Sequence, residues 1–188
     1  MKTASDPRHI KRIKLMQALF SAAFRNKPGS KILTIWQQKD FLDTLIGKSA
    51  PEWPISQINP VELAILRLAS WELVVDKTTP LRVIIDEAVE LAHEFGSDNS
   101  PAFINGVLGN LTKHMQKRSA IIQYLANEWQ KQPADITTDL ILAEMSSDET
   151  LLARLQEALD LTMPEEHLEI ITVGDLLEAF DPEEETNA

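Results

Sequence analysis

Cysteine is absent from the chain, which removes disulfides, thiolate metal sites and cysteine nucleophiles together. No apolar run approaches the roughly 20 residues that a membrane-spanning helix needs, and no apolar secretory segment precedes the first charged residues. Also missing are a Gly-rich phosphate loop, an HExxH pair and a G-x-S-x-G elbow, each of which sets reactive groups at a defined spacing. The four histidines, His9, His93, His114 and His167, are scattered without ligand spacing. Neighbouring acids such as Asp86 and Glu87 diverge around a helix rather than converge, and are expected on a solvated face. These absences predict no catalytic constellation, no metal, no cofactor and no membrane contact, in a cytoplasmic protein.

Cations are scarce in one part only. Residues 1–118 hold 16 Lys and Arg against 12 Asp and Glu, for +4, whereas residues 119–188 hold 2 against 17, for −15. Such asymmetry reads as two units with different partners. The first can approach a polyanion; the second repels one. With 188 residues and 44% hydrophobic composition, there is material for one domain or two small ones.

What the chain has is helix. Between Asn59 and Leu111, Asn59-Pro60, Thr79-Pro80 and Ser100-Pro101 each set a side-chain acceptor at the N-cap and a proline in the first turn. Glu62 is placed to complete a capping box with Asn59. The helix after Asn59 is apolar on most sides, which suits the middle of a bundle. The next carries Leu81, Ile84, Ile85, Ala88, Leu91, Ala92 and Phe95 on one face, with Gly96 as its stop, and the third continues with Phe103, Ile104, Val107, Leu108 and Leu111. Asp6-Pro7 opens an earlier helix through about Phe24, its apolar face formed by Ile13, Met16, Leu19, Phe20, Ala23 and Phe24. The first turns of that helix hold Arg8, His9, Lys11, Arg12 and Lys14. Cations at a helix N-terminus oppose the macrodipole, so stability alone does not select them, while the free N–H groups there suit phosphate. A solvated basic face is the other account of them.

NPVELAILRLASWEL and TPLRVIIDEAVELAHEFGSDNSPAFINGVLGNL together resemble the C-terminal half of the NusB family of transcription antitermination factors. PRHIKRIKLMQALF resembles the family's basic N-terminal helix, with His9, Lys11 and Lys14 in place of some arginines. The resemblance implies an all-α fold of two packed three-helix bundles. It also implies binding of single-stranded RNA of the rRNA-leader type, together with the small-subunit ribosomal protein NusE, within an RNA polymerase antitermination complex. Carried over by matching positions, it implies RNA contacts from Arg8, His9, Lys11, Arg12, Lys14 and Phe20. Ser97, Asn99 and Ser100 become polar contacts and Phe103 a ring that stacks on a base. Phe20 stands where the family often has a tyrosine, and Ala102 where it often has a cation. Glu62 falls near where the family meets NusE, with capping as its other role. Core packing is the other role open to Phe103, and close helix packing is expected of Asn105 and Gly106.

Lys31 to Ile46 is expected as one helix closed by Gly47, followed by the connector SAPEWPISQ, a middle region shorter than the family's. Trp36 and Trp53 are expected in core or rim packing. A boundary is expected between His114 and Ala120, separating a NusB-like domain over 1–118 from a small acidic helical bundle over 119–181 and a disordered acidic tail over 182–188. The bundle's expected helices carry Ile121, Ile122, Leu125, Ala126 and Trp129, then Asp148 to Leu159, then Leu176, Leu177 and Phe180 behind a Thr172–Asp175 cap. IIQYLANEWQKQPADITTDL and MPEEHLEIITVGDLLEAF resemble the first helix and the ending of an acyl carrier protein. The Asp-Ser-Leu that carriers esterify with phosphopantetheine is replaced by SSDETLL, with Ser147 as the nearest candidate, which implies a carrier-like bundle without the prosthetic group. Two functions therefore compete: an RNA-binding antitermination factor with an acidic accessory bundle, and a NusB-like scaffold whose C-terminal bundle is a carrier or protein-docking module. A third is a detached RNA-binding domain of the kind found before rRNA cytosine methyltransferases, although no cofactor-binding half accompanies it.

Overall fold

The computed structural model describes residues 6–142, 150–161 and 170–179. These form eight α-helices: α1 (Pro7–Arg25), α2 (Leu33–Gln37), α3 (Lys39–Ser49), α4 (Pro60–Trp71), α5 (Leu81–Phe95), α6 (Ser100–Glu128), α7 (Leu151–Leu159) and α8 (Val173–Ala179). Among the described residues there is no strand, only an antiparallel bridge between Ile141 and Thr172. No described helix is long and apolar enough to cross a membrane. Two of the caps expected at the starts of α1 to α6 form. Asp6 Oδ1 accepts from the Arg8 N–H at 2.8 Å and Asn59 Oδ1 from the Val61 N–H at 2.9 Å, each beside a proline in the first turn. Thr79 does not cap: Pro80, with extended ψ, is itself the residue before α5 and no side chain closes that end.

The chain divides into two compact units, Met1–Thr112 and Lys113–Ala188. The first is organised around α4, where every residue from Ala64 to Ser70 is buried. Its packing against α1, α3 and α5 leaves it no solvent face along that stretch, and each buried Leu or Ile contributes about 1.5–3 kcal/mol. Beyond Trp71 the helix widens into a π turn, Glu72–Asp76, closed by Lys77 in the left-handed region at φ 54° with its N–H on the Glu72 carbonyl at 2.9 Å.

The single helix expected over Lys31–Ile46 is broken into a 3₁₀ turn at Ser30–Ile32, then α2 and α3. Ile32, Ile35, Leu42 and Ile46 are buried, and Lys39 interrupts their stripe. The break at Gln38 falls beside it, and the Lys39 ammonium goes to Asp43 at 2.9 Å. Asp43 is also gripped bidentately by the buried Arg67 of α4, at 2.7 and 2.9 Å. Burial would raise the Asp43 pKa, but the Arg67 and Lys39 bonds outweigh it and hold it below the ordinary carboxylate value. Gly47 lies inside α3, which runs on to Ser49.

Between His114 and Ala120, beside the point where the two compact units divide, the backbone stays helical, because α6 is one helix of 29 residues from Ser100 to Glu128. The change of charge there does not end the helix. Lys, Gln, Met and Arg are strong helix formers, and neither proline nor glycine interrupts them. The second unit has its own core: Ile121, Leu125 and Ala126 of α6, Ile136 from the loop beyond it, Leu151 and Leu155 of α7, and Val173, Leu176 and Leu177 of α8. The reciprocal cap expected at α8 is present. Asp175 Oδ2 accepts from the Thr172 N–H at 2.7 Å and Thr172 Oγ1 from the Asp175 N–H at 3.1 Å; the Thr172 N–H and hydroxyl, both donating to Oδ2, hold Asp175 below its ordinary pKa. Ser147, Asp148, His167, Phe180 and the acidic tail lie outside the described residues. Leu155→Ala should cost about 2–5 kcal/mol by opening a cavity at a fully buried site. The measurement is urea unfolding followed by the fluorescence of Trp129, which packs on this core.

Candidate nucleic-acid interface

The charged side chains at the start of α1 divide into two sets. His9 and Arg12 are buried, whereas Arg8, Lys11 and Lys14 are exposed. The buried stripe of α1 is His9, Arg12, Met16, Leu19 and Ala22, rotated from the expected face; Ala23 and Phe24 lie outside it. On α5 the buried stripe includes Glu87 with Ile84, Ala88, Leu91 and Ala92, so the solvated position expected for Glu87 is also corrected. These misplaced charges answer one another. His9 Nδ1 lies 2.9 Å from Glu87 and Nε2 3.3 Å from Glu94. Arg12 Nε donates to both Glu72 oxygens at 3.0 and 3.1 Å, with its Nη1 3.8 Å from Glu87. His9 and Arg12 were expected as phosphate contacts; here they are committed to carboxylates on α5 and on the π turn. Among the exposed set, Arg8 is held by Asp6 at 3.1 Å with its guanidinium open to solvent.

The loop between α5 and α6 is tied down from within. A Cβ on Gly96 would stand 2.5 Å from the Ser100 side chain and 2.6 Å from the Ala92 carbonyl, so only glycine fits. Ser100 is fully buried: its Oγ accepts from the Ser97 N–H at 2.8 Å and donates to Glu62 at 2.5 Å. It thus fastens the loop to the start of α4, while Ser97 and Asn99 remain exposed. The His9–Glu94 contact sets the start of α1 beside the end of α5, from which this loop leaves. Phe103, one turn into α6, is half-buried and meets the ring of Trp53. Phe20 is half-buried, edge-on to Phe24 at 4.9 Å. Asn105 and Gly106 are exposed, and a Cβ on Gly106 would meet nothing, so close packing is not its role. Among the described residues no group of His, Asp and Glu is placed to hold a metal ion.

The residues missed by sequence reasoning are the partners: Glu72, Glu87 and Glu94 for the basic helix, Asp43 for Arg67, and Trp53 for Phe103. A signal for the first group existed. His9, Arg12, Met16 and Leu19 recur at helical spacing, as do Ile84, Glu87, Leu91 and Glu94.

Arg12→Ala should destabilise the protein by about 3 kcal/mol, because it takes from the largely covered Glu72 the guanidinium it is bonded to, while His9 stays on Glu87; the urea midpoint reads it directly. Burial alone would lower the His9 pKa, but hydrogen bonds to Glu87 and Glu94 and their charges prevail and raise it. A raised folded pKa means the contribution is complete below the unfolded value of about 6.5 and is lost as pH climbs through the folded one. The stability advantage of wild type over His9→Gln should therefore be greatest below about pH 6.5 and shrink as the pH rises above it, as measured by denaturation across a pH series.

Residues 29–113 match the NusB family model. The chain is 48% identical over 88 residues to transcription antitermination protein NusB of Chloroflexus aggregans, covering 45% of this chain and 59% of that one. It is 50% identical over 86 residues to that of Roseiflexus castenholzii, covering 45% and 61%. With the NusB of Caldicellulosiruptor saccharolyticus it shares 40% identity over 89 residues, 47% of this chain and 68% of that protein. The chain thus spans about 60% of the length of the first curated relatives it matches. Among solved structures, T. maritima NusB superposes with a TM-score of 0.52 at 31% identity, covering 60% of this chain and 93% of that one. No family is assigned to the residues beyond 113. By sequence over its helical core and by fold, the chain belongs to the NusB family.

Proposed function

We propose that this chain is a cytoplasmic transcription antitermination factor that binds single-stranded RNA of the rRNA-leader type, acting with a NusE-type ribosomal protein in an RNA polymerase complex. The observation that carries this is the 40% identity across 68% of a relative bearing the name transcription antitermination protein NusB. The surface suits it. Arg8, Lys11 and Lys14 face solvent at a helix start where their charge does nothing for the helix. Ser97 and Asn99 are exposed on a loop that Gly96 and Ser100 fix in place. Phe103 and Phe20 are half-buried, with ring surface left over.

In this reading the buried cations hold the helix and the exposed ones hold phosphates. Ser100 positions the loop rather than touching RNA. Glu62, bonded to Ser100, links the loop to the α4 end where a NusE-type protein would dock. The family is not one of enzymes, and the reading asks for no chemistry. No observation favours the carrier alternative.

The test is fluorescence anisotropy with labelled single-stranded RNA at several salt concentrations, with and without the NusE-type partner. Affinity should fall with salt and rise with the partner. Replacing Arg8, Lys11 and Lys14 together by alanine should weaken binding to all sequences alike and flatten the log–log salt slope by about 2, from ~0.7 per neutralised phosphate on a single strand. The melting temperature should hardly change. Salt-independent affinity, or equal binding to duplex RNA, would sink the proposal.

A further inference from the structure

Trp53 is not core: it is 50% exposed. It lies in the connector between α3 and α4, and that connector is anchored at its base. The Ser49 carbonyl accepts from Asn110 Nδ2 of α6 at 3.2 Å, Ala50 is buried, and the Trp53 N–H donates to the Ala50 carbonyl at 3.0 Å. Pro51 and Pro54 fix φ on either side. A tethered, proline-stiffened turn therefore presents an indole that burial does not demand. Its ring centroid is 5.9 Å from that of Phe103, with the planes 71° apart.

We infer that Trp53 is the second ring of a nucleobase site, and that with Phe103 it forms a corner for one unpaired base of single-stranded RNA. This rests on the RNA-binding function proposed above. Two rings near a right angle offer adjacent walls, so a base stacked on one abuts the other by its edge, an arrangement aromatic systems favour. Indole has few torsions to freeze on binding, and here the backbone beneath it is already held. A duplex cannot use such a corner, because its base faces are occupied by neighbouring bases; an unpaired strand can. The exposed Ser97 and Asn99, on the loop leading into the helix that bears Phe103, supply hydrogen-bonding groups on the same approach. The exposed cations of α1 bind phosphate without regard to base, so an aromatic corner would add contact with the base itself.

The experiment uses the full chain as wild type, Trp53→Phe and Trp53→Leu, titrated against a labelled mixed-sequence single-stranded RNA of about 12 nucleotides, within the span of known single-strand sites. Phenylalanine keeps a ring; leucine keeps apolar bulk without one. The expected result is affinity within about twofold of wild type for Trp53→Phe and about tenfold weaker for Trp53→Leu, with the same loss at low and high salt because stacking releases no counterions. In wild type, RNA carrying 5-iodouridine should photo-crosslink to Trp53, located by mass spectrometry. Equal affinities for wild type and Trp53→Leu would overturn the role of Trp53 and leave the RNA-binding function standing. No RNA binding by wild type would overturn both. Equal losses in both variants that track a lowered melting temperature would show that the indole only supports Phe103, and would overturn the inference.

Discussion

Glu87 is a carboxylate with almost no access to water, and the first unit depends on its being answered. An uncompensated buried charge costs several kcal/mol, so α5 folds against α1 only in the register that brings His9 and Arg12 to it. Glu72 and Glu94 complete the arrangement from the π turn and the end of α5. Apolar packing along Met16, Leu19 and α4 supplies most of the free energy but tolerates small slips. The charge cluster does not. It fixes the rotation of α1, and that rotation decides which cations are hidden and which face the solvent.

The same contacts join the basic helix to the residues that the family model matches. The family match begins at residue 29, beyond the end of α1. Yet Glu72, Glu87 and Glu94 all lie inside the matched region, so the basic helix is held by residues of the family core. Its outward set of Arg8, Lys11 and Lys14 and the loop before α6 are positioned by one connected framework, which runs from His9 through Glu94 to the end of α5 and from Ser100 to Glu62.

Much of this was legible in the sequence, for local reasons. The caps at Asp6, Asn59 and Thr172 depend on neighbours a few positions away, and α4 reveals itself as central because it is apolar on most sides. The family was legible as a resemblance, carried residue by residue by the segments between Asn59 and Leu111. What stayed hidden depends on distant partners. Acids are exposed by default, and nothing near Glu87 announces a histidine 78 positions earlier. The continuity of α6 was missed because charge changes abruptly where the backbone does not. The resemblance of the C-terminal unit to a carrier protein finds no support beyond the sequence, since the family match ends at residue 113.

The π turn at Glu72–Asp76 gives chain length itself a structural meaning. A π turn takes one more residue into a helical turn than its neighbours do, so at the end of α4 it sets the direction in which the chain leaves that helix. Glu72 on one side faces Arg12, and Glu87 on the other faces His9, with only the short Lys77–Pro80 link after the turn. A residue added within the π turn would carry the point where the chain leaves α4 about 100° around that helix. Glu72, which opens the turn, would keep Arg12, but the short link would then start from another side of α4 and would have to be rebuilt to return Glu87 to the imidazole. The length of the π turn thus fixes the side from which α5 is approached.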